Sequence, residues 1–252
     1  DMISKADTMR LGNRLLSMDF GVYPTMFDYC LAMALLYFKE QKCDVVILET
    51  GLGGTYDSTN ACGVPDVTVI AKIGFDHMAI LGDTLAQIAA EKAGIIKHGT
   101  ALVLESQEKE AMDVLNKAAE RANIKTTKVI NLDEIRILPQ KDGKQCFSYA
   151  GYDAVTMKML GVHQYENAVA AMLAAELFFE KYFAGKKNVP ERKALQHAIR
   201  EGIDRTQWMG RMELVSNDPF FLMDGAHNSN GVEALKKSLE TMYPDEKFHF
   251  IM

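Results

Sequence analysis

The hexapeptide Asp44-Val-Val-Ile-Leu-Glu49 runs straight into Thr50-Gly-Leu-Gly-Gly54, and that join constrains the fold more than any other stretch of the chain. An apolar run of strand length bounded by glycines predicts a buried strand. The carboxylate delivered at its end lies where parallel α/β sheets hold metal and phosphate. Three glycines within four residues let the backbone approach a ligand closely, after which Asp57, Ser58, Thr59 and Asn60 supply polar groups. Glycine-rich turns also serve as plain connections, so the segment predicts a place for something charged and leaves the ligand open.

A second apolar run, Val67–Ile73, ends in Gly74-Phe-Asp-His77, and a third, Ala101–Leu104, follows Gly99. Between them Thr84 and Gln87 form a capping box that opens a helix to about Lys97; earlier, Thr25 and Asp28 form another, with a helix to about Lys42. A helix over 108–123 and a strand over 126–130 continue the alternation. Strands separated by helices predict an α/β fold with a doubly wound, mostly parallel sheet. The rhythm breaks over 134–160, where Asp142-Gly143 and Ala150-Gly151 punctuate alternating stretches and predict a small antiparallel β element. Helices are expected over 164–183 and 190–204. The pattern restarts near 207–210 as strands 211–216 and 219–224, a helix 230–242 and a strand 247–252. This predicts one domain over 1–207 and the start of a C-terminal Rossmann-like α/β domain over 208–252.

Composition narrows the functional classes. With 48% apolar residues the chain can bury a large core. Net charge is −6 with both signs interleaved, so no basic stripe points to nucleic acid and no polybasic cluster to a membrane surface. The longest apolar stretch, Leu31 to Phe38, is far short of a bilayer span. Cys30, Cys43, Cys62 and Cys146 lack C-x-x-C spacing, which argues against a zinc or redox motif and fits free thiols in a reducing cytoplasm.

The blocks Glu49–Asn60, Gly74–His77 and Leu81–Lys97 together resemble the Mur ligase superfamily, most closely its folate branch of folylpolyglutamate and dihydrofolate synthases. Gly161-Val-His-Gln-Tyr-Glu-Asn-Ala168, Trp208-Met-Gly-Arg-Met-Glu213 and Met223-Asp-Gly-Ala-His-Asn228 extend the likeness across nearly the whole chain. The resemblance implies a Mur-ligase-type central ATPase domain over 1–207 and the opening of a glutamate-ligase domain over 208–252. It also implies a G-x-x-x-x-G-K-[ST] phosphate loop upstream of Asp1 and further chain beyond Met252, so the 252 residues by themselves are expected to lack ligase activity.

By residue type, Glu49 is the leading ligand for a hard cation bridging phosphates, against the plainer reading of a solvated strand-end carboxylate. His77 follows the second strand end, with a structural imidazole as its alternative. Lys92 interrupts the helical stripe Leu85, Ile88, Ala89, Ile95 and Ile96, which puts an ammonium on the buried face. It either snorkels to solvent, pairs with an acid such as Glu49 or Asp76, or has a chemical task. The resemblance implies that Glu49, His77 and Lys92 serve magnesium, Lys92 as a carbamylated anion. It likewise implies Asn167 beside adenine, Asp224 on the ribose, and Arg211 and His227 near the phosphates. Asp57 falls in the pterin-associated motif, where Thr55 and Tyr56 depart from the family's arginine and leucine.

The activity so implied is ATP-dependent ligation of L-glutamate to a folate through an acyl phosphate, with dihydropteroate as a further candidate acceptor. ATP and Mg2+ are the expected cofactors, with K+ as an optional ion, in a cytoplasmic monomer that binds neither nucleic acid nor membrane. A Mur-type amino-acid ligase of cell-wall synthesis is the alternative enzyme. For the chain alone, a non-catalytic nucleotide-binding module is the alternative of another class.

Overall fold

The computed structural model describes residues 2–251, and the chain divides into two compact units, Asp1–Val64 and Pro65–Met252. The boundary expected near residue 207 falls within the second unit.

The first unit is helical. α1 (Lys5–Leu16) buries Leu11 and Leu15, and α2 (Met26–Glu40) runs beside it. The exposed Arg10 guanidinium reaches Glu40 at 2.6 Å, a contact that solvent screens and that adds little to stability. α2 starts as expected: Thr25 Oγ1 accepts from Asp28 N–H, while the Asp28 carboxylate accepts from Thr25 N–H at 2.8 Å. The strand expected over 44–49 does not form. Apolar alternation supplies the side chains of a sheet, but a strand exists only through hydrogen bonds to a neighbouring strand. The regular elements of this unit are all helical, so Asp44–Glu49 runs unpaired and Ile47 is 89% exposed. A 3-10 turn, Ser58–Cys62, closes the unit.

The second unit is built on a parallel sheet of β1 (Val67–Ile70), β2 (Ala101–Leu104) and β3 (Thr127–Val129), in that order, with Val67 opposite Ala101 and Leu102 opposite Thr127. The short α3 (Met78–Leu81) and α4 (Leu85–Lys92) lead from β1 to β2, and α5 (Lys109–Arg121) leads from β2 to β3. α4 stops at Lys92 and tightens into a 3-10 turn, Ala93–Ile95, because Gly94 is a poor helix former; the helix therefore falls short of Lys97. β2 is buried on both faces, the reason it reads as a continuous apolar run. Leu102 and Leu104 pack with Ile70, Ile88, Ala89 and Leu115 on one side, while Ala101 and Val103 pack with Val169, Met172 and Leu173 of α6 (Gln164–Phe183) on the other. Helices thus cover both faces, as a doubly wound sheet requires.

An antiparallel meander of β4 (Arg136–Lys141), β5 (Lys144–Tyr149) and β6 (Tyr152–Met157) adds Phe147 and Val155 to the α6 side of the core. Both of its turns take two successive residues at positive φ, Asp142 (52°) with Gly143 (73°) and Ala150 (44°) with Gly151 (85°), as two-residue hairpin loops demand. α7 (Arg192–Arg205) follows. A hairpin of β7 (Glu213–Asn217) and β8 (Phe220–Met223) then precedes α8 (Ser229–Met242), which Asn228 caps by accepting from Gly231 N–H at 2.8 Å. The strand expected over 247–252 is not formed by residues 247–251, and Met252 lies outside the described residues. Phe248 packs on Phe220 and Tyr243, but no strand among the described residues pairs with this segment, and Ile251 is 91% exposed.

Candidate nucleotide and metal site

In the first unit the glycine-rich loop is organised around Asp57. One carboxylate oxygen accepts from Gly51 N–H at 2.9 Å and Leu52 N–H at 3.0 Å, and the other accepts from Thr59 N–H at 3.0 Å and from the Thr59 hydroxyl. Burial alone would raise this carboxyl. The Thr59 hydroxyl and the three backbone donors outweigh burial and hold it below the usual carboxylate range. Ser58 donates to Asp28, tying the loop to the cap of α2, and Asn60 donates to the Gly54 carbonyl at 2.5 Å. Glu49 lies exposed at the entrance of this loop.

In the second unit the turn after β1 meets the loop before α8. Gly74 passes so close to Asn230 that a Cβ there would sit 1.7 Å from the Asn230 amide nitrogen. Asp76 joins the two segments, accepting from His77 N–H at 2.8 Å and from the Asn228 amide at 2.8 Å. Burial would raise its carboxyl, but those two bonds and the nearby His77 and His227 hold it below the usual range. His77 caps the four-residue α3 in a left-handed conformation, φ 49° and ψ 35°, with its ring open to solvent and Nε2 3.9 Å from Asp76.

Asp224 braces the same loop from behind. Its carboxylate accepts from Met212 N–H at 2.8 Å and from Ala226 N–H at 2.9 Å, while Gly225 N–H donates to the Gly210 carbonyl at 2.8 Å. Arg211 is exposed beside Gly225, and His227 is exposed with Nδ1 2.8 Å from the Gly225 carbonyl. Burial holds the His163 imidazole below its usual range, with the Asp224 charge opposing and the Arg211 charge adding to that shift. His163 Nδ1 is buried without a partner, and Nε2 lies 3.0 Å from the Gln164 amide nitrogen. Asn167 is exposed in the first turn of α6 and donates to Gln164 Oε1 at 3.0 Å.

Asp76, His77, His227 and Asn228 therefore come together, as do His163, Arg211 and Asp224, with Asn167 next to the latter through Gln164. Lys92 is half-buried at the end of α4 and makes no ion pair with a described residue of its own unit, so the pairing with Asp76 is not made. Glu49 and Asp57 belong to the other unit. Among the described residues no three His, Cys, Asp or Glu side chains form a metal cluster. Asn228 and His163 stand inside the Met223–Asn228 and Gly161–Ala168 motifs, but residue type alone singles out neither. Glu166 likewise stands inside the Gly161–Ala168 motif, whereas Glu105 and Gln107 at the end of β2 carry no such signal.

A family profile for the Mur ligase middle domain matches residues 22–175. The chain belongs to the Mur ligase family. It is 39% identical over 238 residues to the dihydrofolate synthase/folylpolyglutamate synthase of Bacillus subtilis, covering 90% of this chain and 52% of that protein. The solved folylpolyglutamate synthase of Thermotoga maritima is 30% identical with a TM-score of 0.76, over 95% of this chain and 55% of that one. A solved FPGS complex with AMPPCP and folate gives a TM-score of 0.78 at 26% identity, over 95% and 56%. The chain thus spans about half the length of the relatives it matches. The α/β fold of the Mur ligases expected from the sequence is the fold found.

Proposed function

We propose that the protein carrying this chain is an ATP-dependent amide ligase that adds L-glutamate to a folate. The observation that carries this is the fold match to the FPGS complex with AMPPCP and folate, supported by the likeness to the Bacillus subtilis enzyme. That relative's double name makes dihydropteroate a second acceptor to test. ATP would phosphorylate the acceptor carboxylate, and the glutamate amine would displace phosphate from the acyl phosphate. Magnesium, when bound, spreads the charge of the transferred phosphoryl group.

The chain's own groups take the following roles. Glu49, His77 and Lys92 serve the metal, Lys92 as its carbamate; exposed carboxylate and imidazole donors that leave room for water and phosphate suit this ion, and K+ is an optional companion. Asn167 binds adenine, Asp224 the ribose, and Arg211 and His227 the phosphates. Asp57 holds the loop that meets the pterin end of the acceptor, a reading its four hydrogen bonds from the loop support. Residues 1–207 are the ATPase domain and 208–252 the start of the glutamate-ligase domain, in a cytoplasmic monomer. The test incubates the full-length protein with ATP, magnesium, L-glutamate and either tetrahydrofolate or dihydropteroate. Phosphate release matched by glutamylated product is expected; release that depends on a cell-wall precursor instead would overturn the reading.

A further inference from the structure

The ladder between β1 and β2 ends with Ile70 opposite Leu104, and beyond it side chains replace backbone partners. Lys72 N–H donates to Glu105 Oε2 at 2.6 Å, Ile73 N–H donates to Gln107 Oε1 at 2.8 Å, and the Gln107 amide donates to the Ala71 carbonyl at 3.0 Å. These bonds hold residues 71–73, which run directly into the Gly74–His77 turn. From the same short segment, Ser106 N–H donates to Glu166 Oε1 at 2.6 Å, and Glu166 precedes Asn167 in the first turn of α6. Residues 105–107 therefore grip, on one side, the backbone that carries His77 and, on the other, the helical turn that carries Asn167.

Mere cohesion would not call for this chemistry. Glu105 is 2% exposed and feels the Glu166 charge, and a buried carboxyl group costs far more than another rung of ladder or an apolar pair. Directional bonds to Ala71, Lys72 and Ile73 do what apolar packing cannot, because they fix where the strand end points. We propose that Glu105, Gln107 and Glu166 are positioning residues that set the His77 turn against the first turn of α6, holding the metal-side and adenine-side groups of the ligase in register. This rests on the function proposed above.

The test uses the full-length protein with Gln107→Met and Glu166→Met, each keeping the bulk and losing the bonds. Gln107→Met is expected to raise the magnesium concentration for half-maximal turnover about tenfold, with the KM for ATP moving less than about threefold. Glu166→Met is expected to do the reverse, and Glu166→Gln, which keeps an acceptor for Ser106 N–H, restores the KM to within about threefold of the parent. Should a methionine variant fail to fold, Gln107→Glu, which loses the bond to Ala71, or Glu166→Asp, which is too short to reach Ser106, gives the same readout. Unchanged values, or equal changes in both parameters that follow the loss of melting temperature, would overturn the proposal. A wild-type protein that binds ATP and magnesium without glutamylating folate would sink the ligase reading alone. The same comparison is then made on binding affinities by calorimetry.

Discussion

At Glu105 the buried position, assisted by the Glu166 charge and opposed by the Lys72 N–H bond, pushes the carboxyl up to about 7. An unfolded glutamate releases its proton near its ordinary value of 4.5, so between 4.5 and 7 the folded chain binds the extra proton and stability falls as pH rises. The loss is complete above 7 and amounts to about 3 kcal/mol. Glu105→Gln, which keeps an oxygen for Lys72, should therefore gain urea resistance over the parent at pH 8 and little at pH 5; an equal gain at both would contradict the assignment. Lys92 has a different test. Half-buried and without an ion pair among the described residues of its own unit, it is the residue proposed above to carry the carbamate. Lys92→Ala in the full-length protein should lower turnover by about two orders of magnitude. A short carboxylic acid in solution should recover part of it, and no recovery at any concentration would refute the carbamate.

Among the elements, the meander offers the cleanest forecast. Ala150 is held at φ 44° in a turn whose other central residue is a glycine. Ala150→Asn, with a side chain that tolerates this region, should stabilise the protein by about 0.5–1 kcal/mol, read as a higher thermal midpoint. The turn was legible in the sequence because two such dipeptides punctuated alternating residues, and the capping boxes at Thr25 and Thr84 and the ends of β2 and α6 were legible for similarly local reasons. The segments 44–49 and 247–251 were misread because a strand's existence depends on a partner, which no local pattern reports. The site divides the same way. Asp76, His77, Asp224 and Asn228 stood in motifs, whereas the bonds from Glu105 and Gln107 to residues 71–73 join positions more than thirty apart and appear only once β1 and β2 are side by side.

Over the whole molecule, the second unit brings three stretches distant in sequence to adjoining places: 74–77, 161–167 and 224–228. ATP with magnesium should slow amide exchange in all three together in the full-length protein, while the outward-facing β4 stays unchanged. Protection of only one stretch would mean that they do not form a common nucleotide site. The conformation of His77 bears on this site in another way. An L-residue held in the left-handed region gives up about 1 kcal/mol that glycine would not. His77→Gly should thus melt at a higher temperature than the parent and work far less well. If it does, the imidazole stands where a search for stability alone would have discarded it, and the fold has been left less stable than it could be for the sake of what that ring does.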